Sequence, residues 1–502
     1  MKFIRYTAAG LFLTLFFSVG VHSQVEKEYL KKQQEERERF EKERRKEIDD
    51  FAKQYADGIS KLDKEFKDYL KQEWKRYELF KAEHLYTKPK PETIPEYEKP
   101  EKDIPDRISV ELPEKTEPVV LPEVVQPSEP LPVENPDIKS NSFSSISFYG
   151  ANISVPVDPG YDFHLAEEIN EETISKGWED LAGSFYNNVP ALLFKEKKRL
   201  NLNDWGYYRL VKDYSEKISP DRNEQVFIQW FLLLRSKYKT RLAYENSKLY
   251  LLLPSLNTIY EMPYFTFDGL RYYLVNGEVS NIYTYERDYP EAAAVISLDL
   301  VEPVNTGSNV QEDNITFSVN GEEHDIKIAY NRNTIDFYRD YPLANAEVYF
   351  DAAVAPATVS SIEREFTPLT GGMSEYDEVS FLLHFVQTAF KYETDREQFG
   401  REKMFFPDEL FYYPASDCED RAVLFSYLVR KLAGLDVIGV EYPGHMAAAV
   451  KFHGNVNGDF IVFKGSKYVI CDPTYINAPV GATMPEYEVS TVKPIPLKQK
   501  SR

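Results

Sequence analysis

Ala415-Ser416-Asp417-Cys418-Glu419-Asp420-Arg421-Ala422 opens an apolar helix that continues through Val423, Leu424, Tyr427, Leu428 and Leu432 and ends at Gly434. The cysteine therefore stands at a helix N-terminus. There the helix dipole and unpaired backbone N–H groups favour thiolate over thiol, the form that acts as a nucleophile. The acids at Asp417, Glu419 and Asp420 suit a helix start but oppose that thiolate. Upstream, Val379, Leu382, Leu383, Val386 and Phe390 recur at helical spacing within Tyr376 to Tyr392. Downstream, Asp436 to Glu441 and Met446 to Phe452 read as strands around a Pro443-Gly444-His445 turn. Asp459 to Phe463 and Tyr468 to Cys471 read as a hairpin around Lys464-Gly465-Ser466-Lys467, with Asp472 at the strand end.

The order is cysteine on a helix start, histidine on a strand and aspartate on a later strand. Acyl-transfer chemistry needs those three groups: an imidazole takes the thiol proton, and a carboxylate holds the imidazole in the correct tautomer. The stretches Asp417 to Ala422, Leu428 to Leu435, Gly444-His445-Met446 and Cys471-Asp472-Pro473-Thr474-Tyr475 together resemble the transglutaminase-like superfamily of papain-type cysteine enzymes. The resemblance covers about 100 residues. It implies a papain-like α+β core, with Cys418 as nucleophile, His445 as base and Asp472 as orienting acid. Two departures stand out. Met446-Ala447 follows the histidine where the family often has Ala-Trp, and Ser416-Asp417 precedes the cysteine where a Gly-x start is common. Calcium-dependent glutamine chemistry is accordingly not implied.

Cys471 adjoins Asp472 and should face the other side of its strand, as core. An oxyanion donor would be the Cys418 backbone N–H plus one other group, with Gln387 and Gln398 as candidates. His84, His164, His324, His384 and His453 show no metal-ligand spacing with cysteine. No metal or cofactor is expected.

A second pattern lies about 195 positions earlier. Asn223 to Arg235 mirrors the hydrophobic pattern of the helix at Cys418. At that offset Asn223 falls on Cys418 and Tyr250 on His445; at 196, Asn276 falls on Asp472. The expectation is a degenerate transglutaminase-like α/β domain over 141–285, without the triad. Different strand order in the two halves would defeat that idea. Residues 286–370 should form a β-rich connector, with strands at Ala294 to Leu300, Ile315 to Val319, Ile326 to Tyr330 and Ala346 to Phe350, and a hairpin turn at Asn320-Gly321. The catalytic domain should span 371–490.

The remaining sequence organises the N-terminal part. Residues 1–23 have the form of an export signal: Lys2 and Arg5, a short apolar run from Ala8 to Val21, then Val21-His22-Ser23. Residues 24–85 read as a charged helix or coiled coil, with an apolar stripe through Ile48, Phe51, Tyr55, Ile59, Leu62, Phe66, Tyr69, Trp74, Tyr77 and Phe80. That stripe offers a face for a coiled-coil partner through 25–85. Residues 86–140 hold 12 of the 31 prolines and should be an extended linker with no binding role of its own.

The formal charge is −22, from 82 acids against 60 bases, which argues against a nucleic-acid partner. After the signal no segment is apolar enough to span a membrane, so a periplasmic or secreted protein is expected. The sequence thus points to an exported cysteine peptidase or transamidase acting on peptide or protein substrates. The alternative is a catalytically inert peptide-binding or scaffold protein of the cell envelope.

Overall fold

A computed structural model describes residues 7–84, 91, 93–97, 142–158, 163–319, 321–487 and 492–498. Lys2 and Arg5 of the expected export signal and most of the expected linker 86–140 lie outside the described residues. The chain divides into two compact units, one containing residues 1–65 and the other containing 66–132 and 138–502.

In the first unit the described residues are helical. They make up the greater part of α1 (Thr7–Leu70). Exposed i,i+4 pairs, Lys31 with Glu35 and Arg37 with Glu41, line its charged stretch. Phe40, Ile48 and Phe51 stand exposed on it. Among the described residues no helix is long and apolar enough to cross a membrane.

The second unit mixes helices with antiparallel sheets, an α+β arrangement. Its first half comprises β1 (Lys75–Glu78), the hairpin β2 (Ser142–Phe148) and β3 (Ala151–Val157), and α2 (Glu171–Ala182), α3 (Val189–Arg199), α4 (Asp204–Ile218) and α5 (Arg222–Arg235). There follow β4 (Arg241–Glu245), β5 (Lys248–Pro254), β6 (Tyr264–Phe267), β7 (Leu270–Leu274) and β8 (Asn281–Thr284). The middle holds β9 (Val310–Val319), β10 (Glu322–Asn331), α6 (Arg332–Arg339), α7 (Glu347–Phe350) and α8 (Pro356–Thr370). The last part holds α9 (Glu375–Ala389), β11 (Lys391–Tyr392), α10 (Asp395–Phe399), β12 (Ala415–Ser416) and α11 (Cys418–Leu428). It closes with β13 (Asp436–Tyr442), β14 (His445–Lys451), β15 (Phe460–Phe463), β16 (Ser466–Cys471) and β17 (Lys493–Ile495).

Two sheets share one strand order. The first runs β1-β8-β4-β5-β7-β6 and the second β15-β16-β14-β13-β17. In each, a helix precedes a hairpin (β4–β5, β13–β14), the hairpin's second strand pairs with the last strand of the next hairpin, and a later strand covers the far side of the first. The register corrects the expected correspondence. Asp221 and Asp417 are the two helix caps, so Arg222, not Asn223, takes the place of Cys418. The turns Glu245↔Lys248 and Tyr442↔His445 close alike, so Lys248, not Tyr250, takes the place of His445. The turns Phe267↔Leu270 and Phe463↔Ser466 keep Asn276 opposite Asp472. No thiol, imidazole or carboxylate stands at the three upstream positions.

Three other expectations are corrected. The helix stops at Leu70, and Trp74, Tyr77 and Phe80 leave it: Lys75 to Glu78 pairs antiparallel with β8, and Phe80 bridges Tyr264. An open edge on β8 offers this segment a hydrogen-bonded ladder, whereas another helical turn would satisfy only itself. The connector is less β-rich than its alternation suggests. Its β9–β10 hairpin forms, but Glu347–Phe350 is a helical turn and Ala294 to Leu300 makes only isolated bridges. Val348, Tyr349 and Phe350 are all buried, and three consecutive buried side chains do not suit the two faces of a strand. Finally, the second sheet has an edge strand, β17, that lies beyond the expected boundary at 490.

One hydrophobic core runs from Phe66 to Ile495 through all of these parts. Trp178 and Trp230 pack edge to face within it at 5.1 Å.

Candidate functional site

His445 opens β14 directly after a two-residue turn in which Gly444 has φ +84, a conformation that favours glycine. Asp472 follows β16, which lies beside β14 with Ala448 opposite Cys471. This pairing brings the two side chains together: His445 Nε2 and Asp472 Oδ2 are 2.8 Å apart, and both residues are buried. A carboxylate only accepts, so Nε2 carries the proton and the neutral ring's basic nitrogen is Nδ1. Nδ1 is buried and has no hydrogen-bond partner among the described residues. The other carboxylate oxygen of Asp472 accepts the backbone N–H groups of Thr474 at 3.0 Å and Tyr475 at 3.2 Å. These bonds fix the carboxylate before it meets the ring.

Two tyrosines pack against the imidazole and against each other. The Tyr487 ring lies 4.7 Å from it and nearly parallel, and Tyr442 stacks at 5.9 Å. The Tyr487 phenol is pushed well above its ordinary range, chiefly by burial.

Cys418 is the first residue of α11 and is 1% exposed. Its thiol donates to Glu419 Oε2 at 3.1 Å. The helix start is dense in buried acids: Asp395, Asp417, Glu419 and Asp420 are all at most 2% exposed. Backbone groups hold several of them. Asp420 accepts from the N–H of Asp417 and of Phe405, and Asp395 from that of Lys403. Arg421, fully buried, sets a cation against them. It donates to Ser416 Oγ and to the Phe390 carbonyl, and burial pushes it down to about 10. Ligand atoms of Asp417, Cys418 and Glu419 lie within 4.8 Å of one another, as do those of Asp395, Asp417 and Asp420, and of Asp395, Glu402 and Glu419. The two groups made of carboxylates alone offer the oxygen ligands that a hard cation takes.

The sequence-derived candidates fall into two sets. His445 and Asp472 are in direct contact, Tyr487 stacks on His445, and Cys418 stands at the helix start. Cys471 is buried, and burial drives its thiol far up, as expected for core. Gln387 is corrected: its amide donates to the carbonyls of Asp472 at 3.0 Å and Ala478 at 3.1 Å, so its donors are committed to holding that loop. The Gln398 amide is buried without a partner on α10. Sequence reasoning missed Tyr487, which lies in an aperiodic loop and left no pattern. It also weighed Glu419 only as a charge, because a one-residue separation does not reveal that its carboxylate turns back onto the thiol.

Comparison with protein-family models, characterised proteins and solved structures gives no match.

Proposed function

We propose that this chain is an exported, transglutaminase-like cysteine enzyme that cleaves or transfers amide bonds of peptides. The buried His445–Asp472 pair, with Nδ1 left as the basic nitrogen, is the observation that carries this reading. In the reaction, Nδ1 takes the Cys418 proton, and the sulfur attacks the amide carbonyl carbon. The C–N bond breaks as the imidazolium returns the proton to the leaving amine. Water or a second amine, deprotonated by the same imidazole, then resolves the thioester and restores the thiol. The upstream sheet, with Arg222, Lys248 and Asn276 at the corresponding places, is in this reading a second copy of the core that has no such chemistry.

One observation favours the alternative of an inert peptide-binding or scaffold protein. The thiol is shielded and donates to Glu419, a carboxylate. Iodoacetamide labelling at neutral pH separates the two. The enzyme reading expects fast modification that vanishes in Cys418→Ala and slows about tenfold or more in His445→Ala. Modification no faster than that of a free thiol, after the site has been opened as described below, favours the scaffold.

A further inference from the structure

The proline-rich stretch is not wholly a spacer. Residues 91 and 93–97 lie against the loop that follows Asp472. Glu96 bridges Ile476 as a parallel strand pair, and the Tyr97 N–H donates to the Ile476 carbonyl at 2.9 Å. Asn477 donates to Glu96 Oε1 at 3.1 Å, and the Tyr392 hydroxyl to the Pro91 carbonyl at 2.8 Å. Ile94 and Tyr97 pack against a small apolar cluster of Tyr475, Ala478, Ala482 and Met484, which Tyr487 also touches. The Tyr97 and Tyr475 rings meet edge to face at 5.5 Å.

These are the elements by which an extended peptide is recognised: a main-chain bond to the receptor backbone, and apolar contacts for selected side chains. The receptor loop is also part of the site. Tyr475 donates its N–H to Asp472, and Tyr487 stacks on His445. An occupant here lies beside the triad, whose cysteine and histidine are both buried. Proline at 95 pre-sets an extended backbone, which lowers the entropic cost of docking.

We propose that the face formed by Tyr475–Asn477, Met484 and Tyr487 is the groove for an extended peptide substrate, and that Thr93–Tyr97 occupies it as an internal stand-in. The proposal rests on the enzyme reading for the word substrate, and it names the class: a peptide carrying an aliphatic residue three positions before an aromatic one. The native chain is then held latent by its own segment and opens when that segment is displaced.

The test uses the full chain with Ile94→Ala and Tyr97→Ala together, both half-buried positions whose loss leaves the main core intact. Binding of a labelled Thr-Ile-Pro-Glu-Tyr peptide is measured by fluorescence anisotropy in a Cys418→Ala background, and labelling of Cys418 by iodoacetamide in a background with the cysteine. The double variant should bind the peptide at least tenfold more tightly than the native chain, and Cys418 should label at least tenfold faster. A peptide with alanine at its isoleucine and tyrosine positions should bind weakly to both. Equal peptide affinity for the native and double-variant chains overturns the proposal, whatever the cysteine does. Tight peptide binding with a cysteine that stays inert leaves the groove standing and removes the enzyme.

Discussion

His445 has one nitrogen spoken for and one not, and that asymmetry sets what each neighbour is expected to do. Asp472→Asn keeps the shape but replaces an obligate acceptor with a group that can also donate, so the ring loses its fixed tautomer. Turnover of a peptide substrate should fall by about 10²–10⁴, with circular dichroism unchanged. Glu419→Gln removes the carboxylate that accepts the thiol's hydrogen bond, and Cys418 should label faster in the variant; an equal rate would mean the 3.1 Å contact does not restrain the sulfur. Away from the site, burial raises Asp408 from 3.8 to about 6. Between those values the folded chain keeps a proton that the unfolded chain has released. Stability from this group is therefore present at low pH and is lost as pH rises from about 4 to about 6. Asp408→Asn should flatten that part of the pH–stability curve in urea titrations, since an amide oxygen can still accept the Ala355 N–H. The places of Cys418, His445 and Asp472 at the ends of elements were legible in the sequence, because a boundary signal marks each. Tyr487 and Tyr475 were not legible as site residues, because loops that close on a site from a distance have no period.

The four strands after Cys418 were legible as elements, since each has apolar residues bounded by Gly, Pro or Asp. The strand at Lys75–Glu78 was not. Its aromatic residues continue the spacing of the preceding helix, and only the partner strand β8, about 200 residues later, decides the matter. Trp74 marks the change of direction: it is 4% exposed, and its indole N–H donates to the Leu70 carbonyl, the last residue of the helix. Trp74→Ala should cost about 3–5 kcal/mol in equilibrium unfolding, as for other buried aromatic truncations. A loss below about 1 kcal/mol would mean that the junction packs no better than a free helix end. The connector taught the same lesson in reverse. Alternation at Ala346 to Phe350 resembled a strand, yet Val348, Tyr349 and Phe350 are all buried and lie in a helical turn.

At the scale of the molecule, the sequence suggested separate domains with boundaries near 285 and 370, whereas buried residues form one cluster across both positions. Calorimetry of a chain beginning at residue 66 or earlier should show one main unfolding transition for this unit, not one for each sheet. Two well-separated peaks would show that the two sheets are stable apart. The shared strand order has a further consequence, which concerns time. The ribosome makes β1 long before the β8 edge it will cover, so the first sheet has every strand available once Thr284 has emerged. The second sheet repeats this order later: β17, like β8, is the last of its strands to be made, after those that carry His445 and lead to Asp472. Since chains fold from the N-terminus as they grow, the first sheet is ready first and can serve as the surface on which the other condenses. The sheet bearing His445 keeps the β13 edge open until β17 has been made.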